Sequence, residues 1–232
     1  MLKVKKKLSS KEPNSLIKSF IAILLCALCL VAANWQFHRG VLRHANNQKI
    51  IDNTSLPTIP INQVIDFSKS EWRTVTITGT FDSNHQVLLR NRYNSEGKYG
   101  YEFLTLFKSE NLQFWVDRGW VAAGATASAR PAIPSTPSYA IDITGRIRMD
   151  NSLPRGSFFA LPAKGNLISS WNLKSKVRTT DYYLDLIAGE NVTPVVPAQL
   201  PELSDGPHMA YALQWLFFAG LIIYGRFLIR RR

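Results

Sequence analysis

Cysteine is nearly missing from this chain of 232 residues. The only two, Cys26 and Cys29, sit inside one apolar run. The rest of the chain can therefore form no disulfide, and cysteine usage does not reveal its compartment. The C-x-x-C spacing matches a redox or metal pair. Thiols in hydrocarbon resist ionisation, however, so two small apolar residues in a lipid-facing helix is the plainer reading. Acids are scarce as well: 16 Asp and Glu stand against 28 Lys and Arg, a formal net charge of +12. Histidine occurs only at 38, 44, 85 and 208, without metal-ligand spacing. G-x-S-x-G, P-loop and HExxH patterns are absent. Their absence removes the common hydrolase, nucleotide-binding and zinc-protease classes and points to a protein that is not an enzyme. A membrane-anchored hydrolase or isomerase would have to rely on isolated acids such as Asp117 or Asp150. Arg90, Arg92, Glu102, Asp117 and Arg118 read more simply as solvated faces or ion pairs.

The excess base is not spread evenly. Six lysines (Lys3, Lys5, Lys6, Lys7, Lys11, Lys18) and one acid, Glu12, precede residue 38, and Arg226, Arg230, Arg231 and Arg232 close the chain. Little net charge is left between the ends, and no basic stripe interleaved with aromatics marks a nucleic-acid partner. Membrane lipid is the natural partner of these ends.

Each basic end flanks an apolar run. The first, Phe20 to Ala33, is short for a bilayer, but Leu16, Ile17, Trp35 and Phe37 extend it, with Lys18 able to snorkel. A cleaved signal peptide ending near Val31-Ala32-Ala33 is the rival reading. The second runs from Met209 to Gly225, and Pro207, with Ser204 or Asp205 as cap, suits its first turn. The positive-inside rule then places both termini in the cytoplasm. The expected layout is a basic tail at 1–15, a first span at 16–37, an extracytoplasmic domain at 38–207, a second span at 208–228 and a basic tail at 229–232. In a bacterium this is a multi-pass protein of the inner membrane with a periplasmic central domain.

The central domain alternates apolar and polar residues over short segments. Trp72 to Gly79, Gln86 to Asn91, Tyr101 to Phe107, Leu112 to Val121 and Tyr139 to Met149 read as strands, with a turn at Asp82-Ser83-Asn84 and a loop over 124–138. Residues 40–55 are polar and partly helical in pattern. Asp181 to Glu190 reads as a short helix and Val192 to Val196 as a last strand. The fold class expected is membrane-anchored and mostly β (α+β): two transmembrane helices flanking an antiparallel, β-barrel-like domain.

Two clusters lie at the membrane edge. On a continuing first helix, Trp35, Arg39 and Arg43 are four apart and share a face. They read as belt residue and interfacial cations, or as a flat stacking surface beside guanidinium groups able to clamp carboxylates. On the second helix, His208, Tyr211, Trp215, Phe218 and Ile222 form one stripe. His208 reads as an interface residue, or as a ring whose free lone pair, favoured at the positive end of a helix dipole, serves as an axial haem ligand. Gln214 and the small residues Ala212 and Ala219 could contact another helix.

The order of Trp35-Gln36-x-x-Arg39, Gly79-Thr80-Phe81-Asp82, Leu89-Arg90-Asn91-Arg92, Gly100-Tyr101, Trp115-Val116-Asp117-Arg118-Gly119-Trp120-Val121 and His208-x-x-Tyr211-Ala212-x-x-Trp215 between two spans resembles the Surfeit locus protein 1 family. The resemblance covers about 30 to 230. It departs at Pro207, where the family often has Asn, at Arg43, often Lys, and over 150–180, where only Trp171 of the family pattern is kept. The resemblance implies an assembly factor for haem-copper cytochrome c oxidase that assists haem a delivery or insertion into the largest oxidase subunit. Its partners would be that subunit and the haem a synthesis machinery, with haem a held transiently. It places His208 at the family's haem-linked histidine and gives Gly79 a role in backbone geometry. The expected site is then His208 on the haem iron, with Tyr211, Trp215 and Trp35 around the macrocycle and Arg39 and Arg43 near its propionates. The alternative is a haem-independent membrane chaperone that stabilises an oxidase subunit or assembly intermediate.

Overall fold

The computed structural model describes residues 12–124, 129, 131–150 and 166–231. The lysine-rich start of the chain, Arg232 and part of the expected 124–138 loop lie outside those residues. The chain divides into two compact units, one formed by the residues up to Gln48 together with those from Glu202, the other by Lys49–Pro201.

Pro13 and Pro57 bracket a proline-free stretch, and it forms one helix, α1 (Ser15–Ser55), of 41 residues. At 1.5 Å per residue it is about 60 Å long, twice what a bilayer core requires. The polar 40–55 segment is thus helical throughout. Thr54 and Ser55 hydroxyls donate to the carbonyls of Ile50 and Asp52, which satisfies part of the helix end, and Pro57 forbids continuation.

In the first unit α1 is accompanied by α3 (His208–Arg231). Both helices are long and apolar enough to cross a membrane. Most leucines and isoleucines along them are exposed, whereas the buried positions of this unit are Cys29, Ala33, Gly40, Asn47, Ala212 and Ala219, all small except Asn47. Small residues let helix backbones approach closely. The Cys26 thiol lies 3.6 Å from the Ala219 carbonyl, consistent with a packing residue rather than half of a redox pair.

The second unit is a mixed six-stranded sheet of β1 (Ile59–Pro60), β2 (Thr74–Tyr93), β3 (Tyr99–Lys108), β4 (Gln113–Ala122), β5 (Ile141–Met149) and β6 (Tyr182–Gly189), with the short helix α2 (Leu167–Ser175). Strand order is β1-β2-β3-β4-β6-β5, and β5 also pairs with β2. The expected turn at Asp82-Ser83-Asn84 is an irregularity inside the 20-residue β2, not a strand end. The irregularity lies within the pairing to β3, and the change of partner comes just before it: Thr74–Gly79 pair with β5, and Thr80–Tyr93 pair with β3.

Two further expectations are corrected. Asp181 to Glu190 is strand β6, not helix, because both of its edges find ladder partners: β4 on one side and β5 on the other. Its first five residues are all buried, so the apolar run mimics helical spacing. The sheet is also not purely antiparallel. β6 runs parallel to β4, a pairing allowed by the long connection through β5 and α2, and β1 runs parallel to β2. Val192 to Val196 forms only a single bridge, Gly189 to Val192.

Core lies on both faces of the sheet. One face packs Val75, Phe81, Phe107, Phe114, Ile141 and Leu184 together. The other packs Leu104, Leu106, Trp115 and Tyr183 beneath Leu167, Ile168 and Trp171 of α2. The Trp115 indole N–H donates to Asn172 Oδ1 at 2.9 Å, and Asn166 caps α2 by accepting from the Ser169 amide. Gly79 occupies the switch of β2 between partners. A Cβ there would overlap the Lys108 carbonyl and the Phe107 ring, so the residue is required by close approach.

Candidate functional site

In the first unit, Gln36, Gly40, Arg43, His44 and Asn47 follow one another at helical spacing and line one face of α1. This polar stripe grips the entry to α3. Arg43 Nε donates to the Ser204 carbonyl. The Asp205 carboxylate accepts from His44 Nδ1 at 2.8 Å and from Asn47 Nδ2 at 2.9 Å. Those two hydrogen bonds hold the Asp205 carboxyl below the usual aspartate range. Asp205 is therefore not the helix cap expected of it. It ties the segment before α3 to α1. Gly206 then turns the chain with φ +67, which glycine tolerates without strain, and α3 begins at His208.

His208 is half-buried at this junction. Its Nδ1–H donates to Gln36 Oε1 at 2.9 Å. With Gln36 Oε1 as acceptor, Nδ1 carries a hydrogen, and Nε2 is the ring nitrogen that Gln36 does not engage. Gly40 lies against the other side of the residue, where an added Cβ would come within 3.3 Å of His208 Cβ. A Cβ on Gly206 would come within 3.7 Å of Nε2 and 3.9 Å of Arg43 Cζ, so Arg43 and the imidazole border the same glycine.

The other expected site residues divide into groups. Arg39 places its guanidinium 5.5 Å from the centroid of Trp35, so those two side chains meet on α1. Tyr211 and Trp215 follow His208 along α3 and are exposed at 45% and 37%. Trp215 meets Phe218 edge-on at 5.9 Å. Among the described residues no ring contact joins Trp35 to Tyr211 or Trp215. Gln214 is exposed and makes no hydrogen bond among those described, whereas Gln36 makes the inter-helix bond. Sequence reasoning had quoted Gln36 in a motif and missed its role. The signal was a polar stripe on a helix that membrane logic wanted apolar.

Of the residues expected as solvated faces or ion pairs, Arg90 is exposed and Arg92 with Glu102 forms an ion pair, whereas Asp117 and Arg118 are buried in the sheet. Arg92, Asp117 and Arg118 are buried, and Arg92 pairs with Glu102 at 2.9 Å. Asp117 and Asp185 are register partners across β4 and β6, and Arg148 bonds Asp185 at 2.6 Å while its guanidinium lies 3.7 Å from the Trp72 ring centroid. Burial, reinforced by the Glu102 and Asp185 charges, pushes the Asp117 carboxyl well above the usual range. Arg118 lies between the rings of Phe81 and Phe103, donates to the Ser135 carbonyl, and is lowered by burial to about 10. Asp150 receives the Leu167 and Ile168 amides at the start of α2. These groups are engaged in holding the fold. Among the described residues no group of three His, Cys, Asp or Glu is arranged to hold a metal ion.

The chain matches the model of the SURF1 family over residues 23–220, which takes in most of α1, the whole sheet and the first half of α3. It is 28% identical over 244 aligned positions to an uncharacterized SURF1-like protein of Mycobacterium bovis, covering 95% of this chain and 88% of the relative. SURF1-like proteins from two strains of Mycobacterium tuberculosis match to the same extent. With its mixed sheet and His208 junction inside the matched span, the chain belongs to the SURF1 family, a family of assembly factors linked to cytochrome oxidase assembly rather than a family of enzymes.

Proposed function

We propose that this protein assists delivery or insertion of haem a into the largest subunit of cytochrome c oxidase, with His208 as the group that receives the haem iron. The observation that carries the reading is the His208–Gln36 hydrogen bond. An iron ligand must offer a neutral nitrogen lone pair, and histidine ligands generally donate their other ring N–H to a fixed acceptor. Gln36 is that acceptor, so the ring is oriented before any cargo arrives. Haem a would supply a Lewis-acidic iron and two propionates. Arg43, which borders the imidazole across Gly206, and Arg39, beside Trp35, would offer guanidinium groups to the propionates. Trp35, Tyr211 and Trp215 offer exposed ring surface on the same two helices. The clamp of Arg43, His44 and Asn47 on residues 204–205 keeps the start of α3 in place.

The setting that goes with this reading is the inner membrane of a bacterium, with both termini cytoplasmic and Lys49–Pro201 in the periplasm, where it would meet the oxidase subunit and the haem a synthesis machinery. Arg226, Arg230 and Arg231 at the end of α3 favour that orientation. A haem-independent chaperone would need a helix surface for its client. Of the residues suited to that contact, Ala212 and Ala219 are already buried, at 8% and 6% exposure, and Gln214 alone is exposed.

The test is an absorption spectrum of detergent-purified protein from cells that make haem a. The wild type is expected to carry the haem bands, and His208→Ala to lose them. Gln36→Leu is expected to weaken binding by about 10- to 100-fold, the usual effect of removing a histidine's orienting partner. Full haem occupancy in His208→Ala would overturn the ligand assignment.

A further inference from the structure

The end of the first unit remote from His208 carries a second feature, which the haem reading does not use. α1 and α3 leave a groove of about 310 Å³ whose walls include Ala22 and Leu25 on one helix and Leu221 and Gly225 on the other. The walls are apolar, but Lys18 and Arg226 stand at its end. Arg226 is fully engaged: it bonds Glu12 at 2.7 Å, the Ser15 carbonyl and hydroxyl at 2.9 and 2.8 Å, and the Ser19 hydroxyl at 3.1 Å. It is therefore a rigid cation. Lys18 shares the same carboxylate at 3.1 Å, yet its side chain is 47% exposed and an ammonium has donors to spare. Arg230 and Arg231 follow on the next turn, and Glu12 is the single acid among these groups. Lys18 and Arg226 against Glu12 leave the groove one net positive charge, and Arg230 and Arg231 add two more at the same end of α3.

An apolar slot ending in fixed, incompletely neutralised cations matches one molecule: a phospholipid whose acyl chain fills the slot and whose head group is anionic. We propose that the groove between α1 and α3 is a binding site for an anionic phospholipid, with Lys18 as its principal contact to the head-group phosphate and Arg226 as the fixed charge behind it. A zwitterionic lipid also offers a phosphate, but its own ammonium is repelled by the same cluster. Selectivity thus comes from charge, and occupancy from the shape of the slot. The proposal depends on the two helices spanning the bilayer and is independent of haem.

The full-length protein is reconstituted in vesicles of equal phosphatidylglycerol and phosphatidylcholine, re-extracted in mild detergent, and the retained lipid is quantified by mass spectrometry. The wild type is expected to retain phosphatidylglycerol in clear excess. Lys18→Gln should keep the total lipid but lower the preference by about fivefold, the effect of one basic residue near a charged surface. Gly225→Leu fills the slot, and since a Cβ there meets nothing within 4 Å the helix pair should fold. It should lose most of the retained lipid of both kinds. Ala22→Leu, which narrows the same slot from α1, serves as the second blocking variant if Gly225→Leu shows a reduced helical signal by circular dichroism. Equal retention of the two lipids by the wild type, or undiminished retention in a folded blocking variant, overturns the site. An unchanged preference in Lys18→Gln overturns the head-group assignment.

Discussion

Gln36, Gly79 and Asp205 each act through a single short-range requirement that a residue-by-residue reading could name only in part. Gly79 was expected to matter for backbone geometry, and the structure supplies the reason: there is no room for even one carbon between β2, the Lys108 carbonyl and the Phe107 ring. Gly79→Ala is therefore expected to destabilise the β unit by about 1–3 kcal/mol, the usual cost of overpacking a tight core. Thermal unfolding followed by circular dichroism would read this as a lower Tm, and an unchanged Tm would show that the strand junction yields freely. Ser204 or Asp205 reads as a helix cap, because Ser or Asp before a proline and an apolar run is the common signal, but Asp205 serves otherwise. Its carboxylate instead meets His44 and Asn47, residues 158 and more positions away, and no local pattern encodes that distance. Gln36 is a similar case. Its partner His208 lies 172 positions on, so only folding joins them.

Strand β5 alternates buried and less buried residues and agreed with the sequence reading, and β3 and β4 agreed although both are almost continuously buried. A third buried run, β6, did not. β6 reads Tyr182-Tyr183-Leu184-Asp185-Leu186, five buried residues in succession, and periodicity cannot separate such a run from a helix. α2 escaped notice because its stability depends on contacts that the sequence does not display. Trp171 packs across the sheet, and Asp150, from the end of β5, accepts the first amides of the helix. The pairing of β4 with β6 brings Asp117 beside Asp185 under Glu102. Since the folded Asp117 carboxyl titrates above the unfolded one, the stability it contributes is complete below about pH 4, the ordinary aspartate range, and is lost as pH rises through the raised folded value. Asp117→Asn cannot ionise and keeps an oxygen for the Gly119 amide. It is expected to equal the wild type in stability at acid pH and to exceed it by about 1 kcal/mol or more at pH 8, as a buried charge replaced by a neutral group of the same shape often does. Denaturant melts at the two pH values measure the difference, and a variant less stable than the wild type at pH 8 would show that the charged carboxylate is needed by Arg148.

For the molecule as a whole the arrangement of charge along the chain is the governing fact. Lysines before the first apolar run and arginines after the second predict that reporter fusions at both termini are cytoplasmic, whereas a reporter inserted at residue 97 in the β2–β3 turn is periplasmic. A C-terminal reporter active only outside the cytoplasm would reverse the orientation and the proposed place of His208 with it. Two helices long and apolar enough to cross a membrane, a β-rich unit between them, the family, and the residue types near the helix ends were all determined by the sequence itself, because apolar run length, charge flanks and short-range alternation are properties of neighbouring residues. The two parallel pairings, the Gln36–His208 bond, the Asp205 clamp and the buried Asp117–Asp185 neighbours were decided only by the tertiary structure. Each depends on groups far apart in the chain meeting at hydrogen-bonding or packing distance. Such meetings are settled by competition among all the surfaces of the folded chain for burial and for partners, which no window along the sequence contains.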